Sequence, residues 1–234
     1  MDKLVLKEVV IGYNHIPLAK GINLEVGSGK LISLIGENGT GKSTLMYSLL
    51  KIIPLLKGEI IYQDKSIQDY SQKSWSRIFA AVFSRVQQIP HIKVSELIQI
   101  GSENKDELEL NNISALLEIS ELLNQYATQL SDGQLQKVMI ARAILQDTPY
   151  VIFDEPTAHL DYKNKRIVFE LLKKTVEVTG KTFIVITHEV LQALAMSDEI
   201  WMFQEKQLHV GTPEAIDLKL NIKQEILKNI NYGK

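Results

Sequence analysis

The chain has 234 residues, 26 Lys and Arg against 28 Asp and Glu for a formal net charge of −2, 45% hydrophobic residues, and no cysteine. That balance gives no electrostatic support for a nucleic-acid-binding face, and the lack of thiols excludes disulfides, iron–sulfur clusters and cysteine-held zinc. The length suits one large domain or a domain with a subdomain, the opening MDKLVLKEVV lacks the apolar core of a signal peptide, and no apolar run approaches the ~20 residues that cross a bilayer.

Residues 3–11 and 22–26 read as strands, and KLISLIG at 30–36 as a buried strand ending in glycine. GKSTLMYSLLKII at 41–53 predicts a helix stopped by Pro54. GEIIYQ at 58–63 and RIFAAVF at 77–83 are the next strands, and the Leu, Ile, Glu and Asn spacing of 92–126 predicts a small helical insert. YVIFDEP at 150–156 is a buried strand closed by acids, 165–180 a helix ended by glycine, TFIVITH at 182–188 and EIWMF at 199–203 further strands, and QLHVGTPEAI a last strand, turn and helix start. Strands alternating with helices predict an α/β fold with a mostly parallel sheet, whose ligands sit beyond the strands' carboxyl ends. Three of those ends carry chemistry: Gly36, Asp154–Glu155 and His188.

GENGTGKST at 36–44 fits G-x-x-x-x-G-K-[ST] without a mismatch. Gly36, Gly39 and Gly41 let the backbone curl its N–H groups toward phosphate oxygens, Lys42 brings a charge for the β- and γ-phosphates, Ser43 a hydroxyl for Mg²⁺, and Thr44 lies near the α-phosphate. A chance glycine-rich turn is the competing reading, at odds of about 1% from average glycine usage. Asp154 is placed to hold Mg²⁺ and Glu155 to act as general base on a water; for an isolated strand the same acids would be a solvated end. His188 is either structural or a hydrogen-bond partner of the γ-phosphate. Tyr13 either stacks on adenine or packs a turn. His15, His91, His159 and His209 have no such placement.

GENGTGKS, then LSDGQ at 130–134, then YVIFDEPTAHLD and TH together resemble the ATP-binding subunit of an ATP-binding cassette (ABC) transporter, over nearly the whole chain. The resemblance implies a P-loop NTPase core with an antiparallel β subdomain: a single nucleotide-binding domain over 1–234, with core at about 1–84 and 146–234 and a helical subdomain at about 85–145. It implies that two copies pair head to tail around two ATP molecules. Ser131 and Gly133 would then meet the γ-phosphate held by the partner's P-loop, which includes Glu37, Asn38 and Thr40, and Asp161 in TAHLD would lie near that loop. It makes Glu155 the base, His188 the switch histidine and Tyr13 the adenine-stacking aromatic.

Two positions depart from the family pattern. Asp132 stands where the signature LSGGQ has glycine. The glutamine that usually touches Mg²⁺ falls, counted back from KVSEL at 93–97, on Ser84; Gln87 and Gln88 lie three and four residues later. Register favours Ser84.

LSDGQLQKVMIARAIL, EIWMF and a chain that stops soon after GTPEAI look like importers of iron–siderophore complexes, haem or cobalamin, with no room for a regulatory domain. The implied partners are a second copy, a membrane permease and, indirectly, a solute-binding protein, with the subunit peripheral on the cytoplasmic face of the cell membrane and no nucleic acid bound. A groove lined by residues around 84–101 would take a permease helix, although Val86, Ile89, Ile92 and Val94 serve equally as local core. A soluble ABC-type ATPase working on DNA or ribosomes is the alternative, and a non-hydrolysing nucleotide-gated module the third reading.

Overall fold

The computed structural model describes residues 3–83, 89–102, 106–158 and 162–222. The N-terminal apolar alternation folds as a hairpin, β1 (Leu4–Tyr13) against β2 (Ile16–Val26), with Leu4, Leu6, Val9 and Ile11 turned into the core. Next come β3 (Leu31–Gly36), α1 (Lys42–Leu49), β4 (Lys57–Tyr62), the short β5 (Lys65–Ser66), α2 (Gln72–Trp75) and β6 (Phe79–Val82). Helix α1 is shorter than its sequence suggests. It stops at Leu49, five residues before Pro54, because Lys51 takes a left-handed φ of 58° and the amides of Ile52 and Ile53 fold back onto the Tyr47 carbonyl. The Trp75 indole N–H holds that end by donating to the Leu49 carbonyl at 2.7 Å.

The predicted insert contains α3 (Val94–Gln99) and α4 (Glu107–Leu116), followed by two single 3₁₀ turns. Then follow α5 (Asp132–Leu145), β7 (Tyr150–Asp154), α6 (Tyr162–Thr179), β8 (Thr182–Ile186), α7 (Val190–Met196), β9 (Glu199–Gln204), β10 (Gln207–Gly211) and α8 (Pro213–Leu220). Helix α6 closes on Gly180 at a φ of 68°, as its terminal glycine foretells.

Among the described residues the strands form two sheets. One is antiparallel, in the order β2-β1-β4-β5; the other runs β10-β9-β3-β8-β7-β6, parallel except for β10. The fold is thus α/β with a mixed, mostly parallel sheet and a separate antiparallel sheet. β8 is buried along its whole length and β3 and β7 along all but their last residues, which is why they read as continuous apolar runs rather than alternations. One core fills the space between the two sheets and α1; a second lies on the other face of the parallel sheet and continues without a break into α3, α4 and α5. Val94 is wholly buried in that second core, so it is packing and not a docking residue; Ile89 and Ile92 lean on the same core, and Val86 lies outside the described residues. No described helix is long and apolar enough to cross a membrane.

Candidate functional site

Sheet order brings the chemistry together. β8 lies between β3 and β7, so the loop after Gly36, His188 two residues past β8, and the Asp154–Glu155 end of β7 are immediate neighbours at one edge. The loop from 36 to 41 is shaped by its glycines. Gly36 has a φ of 147°, and a Cβ there would stand 2.9 Å from the Phe203 carbonyl oxygen and 3.1 Å from the Thr40 hydroxyl. The Thr40 hydroxyl donates to the Glu37 carbonyl at 2.8 Å, tightening the turn. Lys42 opens α1 and folds back, its Nζ donating to the Gly36 and Glu37 carbonyls at 2.7 and 2.8 Å. Burial lowers its pKa, and Glu155 and Asp154 oppose that fall by favouring the charged form.

Glu155 has the most unusual backbone of the site, a left-handed φ of 51° in a non-glycine residue. Its amide donates to the Ile186 carbonyl at 2.9 Å, and its own carbonyl accepts from Ala158 at 3.0 Å, so the β7–β8 pairing fixes a conformation costing about 1 kcal/mol. The carboxyl is pushed up to about 7, by burial first; a hydrogen bond from the His188 backbone N–H pulls down, Asp154 pushes up, Lys42 pulls down and Glu189 pushes up. His188 Nε2 lies 3.1 Å from Glu155 Oε1, an approach that becomes an ion pair only when the imidazole is protonated, and that buried oxygen has no hydrogen-bond partner among the described residues. Burial and then Lys42 lower the His188 pKa against the pull of Glu189, which favours the neutral imidazole.

These groups share an open cleft of about 540 Å³ lined by Tyr13, Leu18, Asn38, Gly39, Gly41, Lys42, Ser43, Thr44, Asp154, Glu155, Ile186 and His188. Tyr13 is 47% exposed at the end of β1, so it is no buried packing residue. Leu18 and Ile186 join the residues expected from the sequence. Leu18 reaches the cleft at an irregularity in the β1–β2 pairing, between Ile11–Ala19 and Gly12–Pro17, which carries no local signal, whereas Ile186 is readable from its place two residues before His188. The Ser43 hydroxyl and the Asp154 carboxylate give the cleft hard oxygen donors of the kind Mg²⁺ takes alongside phosphate and water.

Ser131 and Gly133 line a different cleft, with Glu118, Lys137 and Ile167 among its walls. Ser131 caps α5 through a reciprocal box: its hydroxyl accepts from the Gln134 amide at 3.3 Å, and the Gln134 side chain accepts from the Ser131 amide at 3.0 Å. The hydroxyl proton is thereby left to donate outward from an exposed position. Ser84, Gln87, Gln88 and Asp161 lie outside the described residues.

Residues 19–158 match the ABC transporter family. The chain is similar to the petrobactin import ATP-binding protein FpuD of Bacillus anthracis, at 30% identity over 93% of this chain and 84% of that one. It is similar to the spermidine/putrescine import ATP-binding protein PotA of Clostridium novyi, at 31% identity over 90% of this chain but only 62% of the relative's length. Among solved structures it resembles cbiO1 of Clostridium perfringens, part of the ABC transporter complex cbiONQ, with a TM-score of 0.82 and 26% identity over 96% of this chain and 98% of that one. Taken with a phosphate-shaped loop, a desolvated carboxyl and a histidine at adjoining strand ends, these likenesses identify the chain as a member of the ABC transporter family, an ATP-binding and ATP-hydrolysing subunit.

Proposed function

We propose that two copies of this chain hydrolyse ATP as a head-to-tail pair that drives import through a membrane permease. The supporting observation is the separation of the two clefts: the P-loop cleft holds no signature residue, and the signature helix start faces solvent in a cleft of its own. Each copy then offers two half-sites that a partner in two-fold symmetry completes.

In this reading the 36–41 backbone, including Glu37, Asn38 and Thr40, wraps the phosphates and Tyr13 stacks on the adenine. Lys42 neutralises the β- and γ-phosphates, and Thr44 lies by the α-phosphate. Ser43 and Asp154 hold Mg²⁺, which when bound neutralises charge on the phosphate oxygens. Glu155 takes a proton from water as the water oxygen bonds to the γ-phosphorus and the bond to ADP breaks. His188 donates to a γ-phosphate oxygen, and Ser131 and Gly133 reach the same phosphate from the partner. Asp161 and Ser84 join the site on family resemblance alone. Closure follows ATP because only the triphosphate bridges the two halves.

In this reading 1–234 is a single nucleotide-binding domain, with core at about 1–84 and 146–234 and a helical subdomain at about 85–145 that shares the core of the parallel sheet. The permease helix docks in the groove lined by residues around 84–101, and exposed Phe83, just before that stretch in sequence and with its ring 6.4 Å from that of Tyr47, offers it an apolar contact. The subunit then works peripherally on the cytoplasmic face of the membrane, with a solute-binding protein on the far side. The cargo is an iron–siderophore complex, haem or cobalamin; the petrobactin relative speaks for that branch and the spermidine/putrescine relative does not.

Ser131→Arg tests the shared site. Single copies should bind ATP as before, and hydrolysis should fall to background because the arginine blocks closure. Normal hydrolysis in that variant, or a specific activity that does not fall on dilution of the wild type, refutes the reading.

A further inference from the structure

We propose that Lys165 is a positioning residue for His188, acting through Glu189. The inference rests on the function proposed above. Lys165 lies on the first turn of α6, and its Nζ meets Glu189 Oε1 at 2.5 Å. Both side chains are three-quarters buried, so the pair is screened less than a surface ion pair.

Glu189 is the residue after His188 and the N-cap of α7, yet its side chain caps nothing. Its amide instead donates to the buried Thr187 hydroxyl at 3.0 Å, and the Val190 amide donates to the His188 carbonyl at 3.0 Å. The backbone on both sides of His188 is therefore tied locally, while the Glu189 carboxylate reaches across to α6. That bond joins the loop bearing His188 to the helix that follows β7. It closes a ring from β7 through α6 to the loop after β8, and the 3.1 Å approach of His188 to Glu155 lies within that ring.

Two consequences follow. Without the ammonium, the loop after β8 loses its side-chain tie to α6 and keeps its local backbone bonds, so His188 is held less firmly against Glu155. The Glu189 charge, which already acts on both Glu155 and His188, would also go uncompensated next to a site built to take a polyanion. Lys165 touches neither nucleotide nor water in this scheme, so its removal should lower kcat and leave the KM for ATP nearly unchanged.

The test measures steady-state ATPase rates and nucleotide affinity for Lys165→Ala, Lys165→Arg, Glu189→Ala, the double alanine variant, and the charge swap Lys165→Glu with Glu189→Lys, with His188→Ala alongside. Expected are a kcat loss of roughly three- to thirtyfold in Lys165→Ala with ATP affinity within about twofold of wild type, near-full activity in Lys165→Arg, a double alanine variant no worse than the poorer single one, and partial recovery in the charge swap. Wild-type kcat in Lys165→Ala with His188→Ala inactive overturns the inference alone. So does an equal loss in Lys165→Arg, which would mark the lysine as a shape requirement and not a charge tether. Wild-type activity in His188→Ala overturns the switch role proposed above, and the inference with it.

Discussion

Replacing Glu155 by glutamine separates stability from turnover. The ordinary carboxyl value is 4.5, and in the folded chain burial pushes Glu155 up to about 7. A carboxyl raised on folding binds its proton more tightly in the native state, so the ionised form opposes folding. That cost is absent below pH 4.5, grows as pH rises from 4.5 to about 7, and is complete above 7. At 1.36 kcal/mol per pH unit the full cost is about 3 kcal/mol, falling below about 1 kcal/mol at pH 5. A glutamine at this position would carry no charge and would inherit the same left-handed backbone, so the φ of 51° does not enter the difference. Urea unfolding of nucleotide-free, metal-free protein should therefore find Glu155→Gln more stable than wild type by up to about 3 kcal/mol at pH 8 and nearly level with it at pH 5. The same variant should lose roughly 10²- to 10⁴-fold in turnover, the usual weight of a general base. Wild-type kcat/KM should climb with pH through about 7 as the base ionises. A stability difference that does not change between pH 5 and pH 8 would mean the carboxylate is well solvated and would remove the reason for its tuning.

Lys42→Ala should weaken ATP binding by about tenfold or more, because it removes the loop's own cation; calorimetry with unchanged affinity would contradict the assignment. Tyr13→Ala should raise the Kd for ATP roughly threefold to tenfold while Tyr13→Phe stays near wild type, since a ring without the hydroxyl still stacks. Equal affinity of all three proteins for ATP would take adenine away from Tyr13.

The site was legible where chemistry sits beside a change of pattern. An apolar run that ends in Gly36, or in Asp154 and Glu155, has no reason to stop there unless the residues beyond it are used, and the structure puts the loop after Gly36 and the acid pair in one cleft. What stayed hidden depends on contacts distant in sequence. The end of α1 is set by Lys51 and by an indole 26 residues away, and not by the proline that invites the eye. Val94 sits in a stretch whose apolar residues suit docking and packing equally, and only the facing sheet decides for packing. The Lys165–Glu189 pair spans 24 residues with no motif to announce it. β5 and α2 are too short for periodicity to register.

The unbroken core beneath the parallel sheet has a practical corollary for protein engineering. Ile98, Leu110 and Ile113 share one packed interior with Val82, Phe153 and Phe169. Excising 92–126, or grafting the matching piece of a relative in its place, would therefore leave a gap or a clash under the sheet. A viable chimera would have to import the opposing aromatic and β-branched side chains together with the graft.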